Sequence, residues 1–179
     1  VESLPPEQKI IFAPDKNLGA YINKVTGRNM VLWNGACMVH EIFSVEKIQN
    51  LKQRHPNAKV IAHPECEEPV LKLADFIGST TQLLKYTIND SSSEYIVATE
   101  TGILHQMIIS SPQKTFIPAP PNNSCACNNC PHMKRNTLEK IYLCMEYETP
   151  EIFMDEALRL AAKKPIDKML ELSAQFGLI

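Results

Sequence analysis

The sequence predicts an α/β fold built around parallel β-sheet. Short apolar runs, such as residues 58–62 and 94–98, alternate with stretches of helical periodicity such as residues 44–55. This alternation is typical of β-α-β units. The candidate strands are nearly continuous in apolar residues, which is expected when helices cover both faces of the sheet.

The candidate elements follow one another regularly along the chain. Most candidate strands end in residues that favour turns, namely Pro, Gly, Asn, His, Ser or Thr. The candidate strands are 9–14, 30–35, 58–65, 75–80, 94–102 and 114–120, and the candidate helices are 18–25, 44–55, 68–74, 81–86, 103–109 and 137–147. Residues 118–129 contain too much Pro and Asn for regular structure. Pro150 is expected at a helix start, followed by two amphipathic helices separated at Pro165.

The composition excludes several classes of function. The chain has 179 residues, of which 44% are hydrophobic, and a formal net charge of -2. Without a long basic run, nucleic acid is not an expected partner. No apolar stretch approaches the roughly 18 residues of a membrane helix. We therefore expect a soluble protein that acts on small molecules.

The six cysteines are too sparse for a disulfide scaffold, and no secretory signal precedes them, so we expect free thiols. Three lie together at Cys125, Cys127 and Cys130. The local sequence allows four interpretations of these cysteines: a disulfide knot, half of a zinc site, a redox pair, or one ligand of a metal cluster beside two cysteines that do not bind it. Cys130 lies nearest to the entry of the next helix, and Cys144, within that helix, is expected to pack.

Cys37 follows a candidate strand and a turn containing Gly35, just before a helix. A thiol there meets the positive end of the helix dipole and unpaired N–H groups, which suits it to metal binding or nucleophilic chemistry. A buried structural cysteine is the alternative.

His63, Glu65 and Cys66 emerge from the end of the candidate strand 58–65. An imidazole and a carboxylate two residues apart can contact the same substrate and transfer protons to and from it. A zinc site using His63 and Cys66 lacks suitably spaced partners. The alternative is a solvated loop.

Gly78, Ser79 and Thr80 lie between a short strand and an amphipathic helix. Hydroxyls and N–H groups at a helix N-terminus can bind phosphate or carboxylate. Ordinary N-capping explains the same residues.

Taken together, several stretches resemble the quinolinate synthase family of iron-sulfur enzymes. They are "FAPDKNLGAYI", "WNGACMVHE", "AHPECEEPVLKLADFIGSTT", "VATETGILHQM", "CNNCPHMKRNTLEKIYLCME" and "KKPIDKMLELS". Ser79 follows His63 by sixteen residues, and the resemblance covers nearly the whole chain.

The resemblance implies three similar α/β lobes, each with a parallel sheet between helical layers, arranged with pseudo-threefold symmetry. On this chain, residues 1–56 correspond to an incomplete middle lobe, 57–145 to the third lobe and 146–179 to a C-terminal helical segment. The first lobe has no counterpart, so we expect this chain alone to be incomplete and inactive.

The resemblance also implies the cofactor and the roles of individual residues. Each lobe of the family contributes one cysteine to a 4Fe-4S cluster with one open iron; here these are Cys37 and Cys130, and the third ligand is absent from the chain. Cys66 matches a position that is not a ligand. His63 and Glu65 are the implied catalytic and substrate-binding residues, with Ser79 and Thr80 binding substrate.

The implied reaction is that of a transferase of NAD (pyridine nucleotide) biosynthesis, which condenses iminoaspartate with dihydroxyacetone phosphate to quinolinate. A functional link to an L-aspartate oxidase or dehydrogenase is implied, as is a cytoplasmic location, or a plastid in a plant or alga. The alternative is a non-catalytic iron-sulfur or zinc-binding module that uses Cys37, Cys127 and Cys130.

Overall fold

The computed structural model describes residues 1–122 and 128–177. Over these residues the chain forms six strands, eight α-helices and one 3-10 turn. The strands are β1 (Ile11–Phe12), β2 (Val31–Leu32), β3 (Lys59–Ala62), β4 (Phe76–Ile77), β5 (Glu94–Ala98) and β6 (Thr115–Pro118). The helices are α1 (Lys16–Thr26), α2 (Met38–Glu41), α3 (Val45–Arg54), α4 (Glu68–Leu71), α5 (Thr80–Asn89), α6 (Ile103–Ser110), α7 (Leu138–Tyr147) and α8 (Glu156–Gln175), and the 3-10 turn is Met133–Arg135. The chain divides into two compact units, residues 1–134 and 135–179.

The first unit contains two sheets, and all of their strand pairs are parallel. Strands β1 and β2 form a small sheet, and the larger sheet has the order β4-β3-β5-β6. Each parallel connection needs a crossover: α1, α4 and α6 lie in the sequence between strands that pair, and α5 lies between β4 and β5, which flank β3. The prediction of an α/β fold with parallel sheet is confirmed.

The central strands of the larger sheet are buried on both faces. Successive side chains of a strand point to opposite faces, so alternate residues of β3 and β5 enter two different apolar clusters. One cluster contains Val60, Ala62, Ile96 and Ala98 and packs with residues of α3 and α4. The other contains Ile61, Tyr95 and Val97, together with Leu83 of α5 and Met107 of α6. Helices on both faces explain why these strands are continuously apolar.

The second unit contains α7 and α8, and here two sequence predictions are wrong. Helix α8 begins at Glu156 behind the N-cap Asp155, so Pro150 lies in the segment between the helices and does not start one. Pro165 lies inside α8 and does not divide it. A proline removes a single main-chain N–H, here the one that would donate to the carbonyl of Ala161, and the 20-residue helix continues through it.

Cys144 on α7 is exposed, so the prediction that it packs is wrong in this structure. Its neighbours on the same helix, Ile141 and Met145, are exposed as well. The helix predicted from the apolar period is confirmed as α7, but such a period does not show whether other residues pack against the apolar face.

The loops that carry the candidate site residues follow the carboxyl ends of the strands, where α/β folds place their binding and active sites. His63 follows β3, Gly78 follows β4 and Thr99 follows β5. Because β4, β3 and β5 are adjacent in the sheet, these three residues lie along one edge. None of the helices among residues 1–122 and 128–177 has the length and apolarity needed to cross a membrane.

Candidate functional site

Cys37 is the N-cap residue of the short helix α2, so its predicted place at a helix start is confirmed. Its main-chain N–H donates a hydrogen bond to Oδ2 of Asp15 at 2.8 Å. The other carboxylate oxygen of Asp15 accepts from the N–H of Leu18 at 2.9 Å and caps α1. Asp15 is buried, whereas Cys37 is half-buried. One buried carboxylate therefore fixes the position of Cys37 relative to α1.

The turn before Cys37 is closed by Trp33 and Gly35. A Cβ atom at position 35 would come within 1.9 Å of the Trp33 ring, so a larger residue there would displace that exposed ring. The carbonyl of Gly35 accepts from the N–H of Lys16 at 2.8 Å, which is a second link between this turn and α1.

His40 lies one helical turn after Cys37 and is buried, with 7% of its surface exposed. Its Nε2 lies 3.1 Å from Oγ1 of Thr99. Its ring stacks on that of His63, with the centroids 4.5 Å apart and the planes 15° apart. Its Nδ1 lies 2.9 Å from Oε2 of Glu65, but this close contact lacks the alignment of a hydrogen bond.

His63 and Glu65 occupy a tight turn after β3. The N–H of Glu65 donates to Nδ1 of His63 at 3.3 Å, and Oε2 of Glu65 lies 3.7 Å from the same nitrogen. Asn17 of α1 donates its side-chain amide to the carbonyl of Glu65 at 3.2 Å. Because Nδ1 of His63 accepts a hydrogen bond, the proton of the neutral imidazole lies on Nε2.

Burial shifts the protonation of all three titratable side chains. Burial lowers the pKa of His40. Burial and the neighbouring His40 lower the pKa of His63. Burial also raises the pKa of Glu65, although His63 acts against this. At neutral pH the two imidazoles are therefore neutral, and the carboxyl holds a proton more readily than an exposed glutamate does.

Cys66 lies next to Glu65 in the sequence but is directed into the core. It is fully buried, and its Sγ donates to the carbonyl of Ala98 at 3.4 Å. Burial raises the pKa of its thiol, so a thiolate is disfavoured. A metal site that uses Cys66 does not fit this geometry.

Cys130 is held at the same edge of the sheet by Glu100. The N–H of Cys130 donates to Oε1 of Glu100 at 3.2 Å, and that of Gly102 donates to Oε2 at 2.6 Å. Nζ of Lys134 lies 3.4 Å from Oε1. Glu100 directly follows Thr99, which contacts His40, so a single loop touches the elements that carry both cysteines.

Ser79 and Thr80 begin helix α5 and are exposed. Ser79 forms a capping box with Gln82: Oγ of Ser79 accepts from the Gln82 N–H at 3.3 Å, and Oε1 of Gln82 accepts from the Ser79 N–H at 2.8 Å. N-capping therefore occurs. It uses the Ser79 oxygen as an acceptor and leaves the hydroxyl hydrogen available.

The structure thus brings Cys37, His63 and Glu65 together, with Cys130 linked to them through residues 99 and 100. Ser79 and Thr80 lie on the adjacent strand end. Cys125 and Cys127, to which the sequence assigned several alternatives, lie outside the described residues.

Sequence reasoning missed four residues of this site: Asp15, His40, Thr99 and Glu100. A signal existed only for His40, because residues three apart on a helix share a face and His40 follows Cys37 by three. The others act through contacts between distant parts of the chain, such as the pair His40 and Thr99, 59 residues apart.

Cys37, His40 and Glu65 form a group that can hold a metal ion. Each offers one ligand atom, and these atoms all lie within 4.8 Å of one another. A thiolate, an imidazole and a carboxylate together suit a transition metal.

Comparison with known proteins agrees with the family resemblance. The family model described as quinolinate synthetase A protein (NadA) matches residues 1–171. The quinolinate synthase of Chloroherpeton thalassium is 61% identical over 174 residues, which are 97% of this chain and 54% of that protein. The quinolinate synthase of Microcystis aeruginosa is 60% identical over 173 residues, again 97% of this chain and 54% of that protein. The chain thus spans about half the length of the curated relatives that it matches.

Proposed function

Since the chain belongs to the quinolinate synthetase A family, we propose that the protein acts as a quinolinate synthase, a transferase of NAD biosynthesis. In this reaction iminoaspartate condenses with dihydroxyacetone phosphate, and quinolinate, phosphate and water are formed. The observation that carries the proposal is the cluster of Cys37, His40, His63 and Glu65 at the carboxyl edge of the sheet. It combines a metal-binding thiol with groups that can move protons.

Cys37 and Cys130 fit the requirements for ligands of an iron-sulfur cluster. Both are half-buried free thiols, and the main-chain N–H of each is held by a poorly exposed carboxylate, Asp15 or Glu100. Thiolates are the ligands that such clusters use. With a third cysteine outside this chain they would hold a 4Fe-4S cluster, whose open iron supplies a Lewis acid for a substrate oxygen.

Glu65 and His63 would move the protons of the imine/enamine and keto/aldo steps. The raised pKa of Glu65 lets its carboxyl act both as acid and as base nearer to neutral pH. His63 would donate the proton on Nε2, because its Nδ1 is occupied by the N–H of Glu65. His40 stacks on His63 and keeps that ring oriented.

Ser79 and Thr80 would bind the phosphate of the substrate or a carboxylate of the product. Helix α5 has ten residues, so its N-terminus carries the partial positive charge of a full helix dipole. The N–H of Thr80 and the two hydroxyl groups can donate to the anion. The strand pairing of β3 with β4 brings this helix start beside the turn that carries His63.

Iminoaspartate would come from an L-aspartate oxidase or dehydrogenase, since those reactions generate the imine from aspartate. A cytoplasmic location, or a plastid in a plant or alga, is part of the same proposal.

The test is the substitution Glu65→Gln in a protein of full family length that carries this chain. Quinolinate formation should collapse while the iron content and the visible absorbance of the cluster are retained. The control is Glu67→Gln, because Glu67 is an exposed carboxylate two residues away. Retained activity in Glu65→Gln would contradict the role of Glu65, and loss of activity in both variants would show a general effect of this turn.

A further inference from the structure

The side chains of Cys37, His40 and Glu65 lie close together, and the proton-transfer roles proposed for His63 and Glu65 do not explain why the Nδ1 atom of His40 has no hydrogen-bond partner. The Nδ1 atom of His40 is buried, makes no hydrogen bond, and yet lies 2.9 Å from Oε2 of Glu65. A buried nitrogen without a partner is costly, so such an atom calls for an explanation. The thiol of Cys37 completes the group, with all ligand atoms within 4.8 Å of one another.

The other ring nitrogen of His40 contacts an oxygen that can accept its proton, as the second nitrogen of a metal-binding histidine needs. Its Nε2 lies 3.1 Å from the hydroxyl oxygen of Thr99, and both residues are buried. When Nε2 donates to Oγ1 of Thr99, the lone pair of Nδ1 is free for a cation. Nδ1 and the ionised carboxylate are then two acceptors in close contact, an arrangement that either a proton on Glu65 or a bound cation stabilises.

We propose that Cys37, His40 and Glu65 form a mononuclear zinc site in the protein when it carries no iron-sulfur cluster. Zinc binds thiolate sulfur at about 2.3 Å and imidazole nitrogen or carboxylate oxygen at about 2.0 Å, so two ligand atoms on one ion lie roughly 3 to 4 Å apart. The separation of 2.9 Å between Nδ1 and Oε2 is already close to this range. The sulfur reaches the ion after a side-chain adjustment of about 1 Å.

Three protein ligands leave a fourth position open, as in catalytic zinc sites. The half-buried thiol of Cys37 and the partly exposed carboxylate of Glu65 give an ion access to the site, whereas His40 forms its buried floor. The softness of a thiolate favours zinc over magnesium or calcium, which prefer oxygen ligands.

Zinc and the iron-sulfur cluster cannot be bound at the same time, because both require Cys37. This consequence rests on the proposed function, which supplies the cluster. Zinc bound at Cys37 would block cluster assembly, and an assembled cluster would remove one zinc ligand. Metal availability would then decide which form of the protein exists.

The test uses the 179-residue chain with serine at Cys125, Cys127, Cys130 and Cys144, which leaves Cys37 and the buried Cys66 as its thiols. Zinc is titrated directly, and Co²⁺ serves as a spectroscopic probe. We expect one zinc ion per chain and, with Co²⁺, a thiolate charge-transfer band with the visible bands of a four-coordinate ion. Absence of the charge-transfer band would overturn the proposal, because Cys37 would not be a ligand.

Variants assign the remaining ligands. His40→Gln should weaken zinc binding more than tenfold, whereas the control His105→Gln should not, because His105 is exposed on α6 and lies outside the three-residue group. Thr99→Val should weaken binding by about 10- to 100-fold, the usual effect of removing an outer partner of a ligand, and Thr99→Ser should restore it. Unchanged binding in both His40→Gln and Thr99→Val would refute the assignment, and the second variant keeps the test valid if the first one fails to fold.

A protein of full family length separates this proposal from the proposed function. Loading with zinc should prevent cluster assembly, and prior assembly should prevent zinc binding to the site. If zinc binds as described but no cluster forms under any condition, the proposed cofactor is wrong and the zinc site stands. If one protein molecule binds the cluster and zinc at the same time, and zinc binding still depends on Cys37, then the proposal that the two exclude each other is wrong.

Discussion

Asp15 connects the start of α1 with Cys37, and its substitution measures how firmly Cys37 is held. One carboxylate oxygen caps α1 through the N–H of Leu18, and the other accepts the N–H of Cys37. Asp15→Ala removes both bonds. Asp15→Ser removes only the bond to Cys37, because serine is as good an N-cap as aspartate. The two variants therefore separate the two contributions.

The expected losses follow from the two hydrogen bonds. An N-cap contributes about 1 kcal/mol, and a hydrogen bond to a charged group contributes about 1.5 to 3 kcal/mol. We therefore expect Asp15→Ala to lower the free energy of unfolding by about 3 kcal/mol and Asp15→Ser by about 2 kcal/mol. The matched control is Ser44→Ala, which removes a cap of α3 in the same unit and should cost about 1 kcal/mol.

The assay is denaturant unfolding followed by tryptophan fluorescence. Trp33 is the only tryptophan of the chain and packs on Gly35, two residues before Cys37, so its emission reports on this part of the first unit. If Asp15→Ser were as stable as the unmodified chain while Ser44→Ala lost its cap energy, Asp15 would not hold Cys37 and the account of the site would be wrong.

Further predictions concern pH, iron and the buried thiol. Because burial raises the pKa of Glu65, its contribution to stability is lost as the pH rises through the folded value, so Glu65→Gln should be more stable than the unmodified chain at neutral pH. This gain should fade as the pH falls through the folded pKa and should be gone below about pH 4.3. Because burial lowers the pKa of His40, stability should fall with acidification below about pH 6.5, and His40→Gln should flatten that part of the unfolding profile. Cys66→Ala should leave the iron content of a reconstituted full-length protein unchanged and cost about 1 kcal/mol of stability. Cys37→Ser and Cys130→Ser should each abolish iron binding, as measured by metal analysis.

Two results would contradict these expectations. Dependence of iron binding on Cys66 would mean that the buried thiol is exposed in the assembled protein. A pH profile of unfolding that is identical for the unmodified chain and His40→Gln would mean that the environment of His40 is not as buried as the structure shows.

Much of the fold can be predicted from the sequence because its signals are local. The continuous apolar runs of β3 and β5 require burial on both faces, and the helices packed on each side confirm this. Turn residues after the strands located His63 and Ser79 at element boundaries, where the structure has them.

The errors and omissions have a common physical cause. The predictions for Pro165 and Cys144 rest on residue type and local spacing, whereas the structure depends on helix continuity at Pro165 and on packing partners at Cys144. The contacts of His40 with Thr99 and Glu65 join three strand ends and loops that are distant in sequence. No local pattern contains such a contact, so the sequence could nominate His63 and Glu65 but not the residues that orient them.

Product formation decides whether this chain forms part of a quinolinate synthase. A protein of full family length that carries this chain would be reconstituted with iron and sulfide under anaerobic conditions and supplied with iminoaspartate and dihydroxyacetone phosphate. We expect quinolinate, identified by mass spectrometry, with release of phosphate in equal amount. An assembled cluster without quinolinate, or zinc binding without any cluster or product, would contradict it and favour a metal-binding module without catalysis.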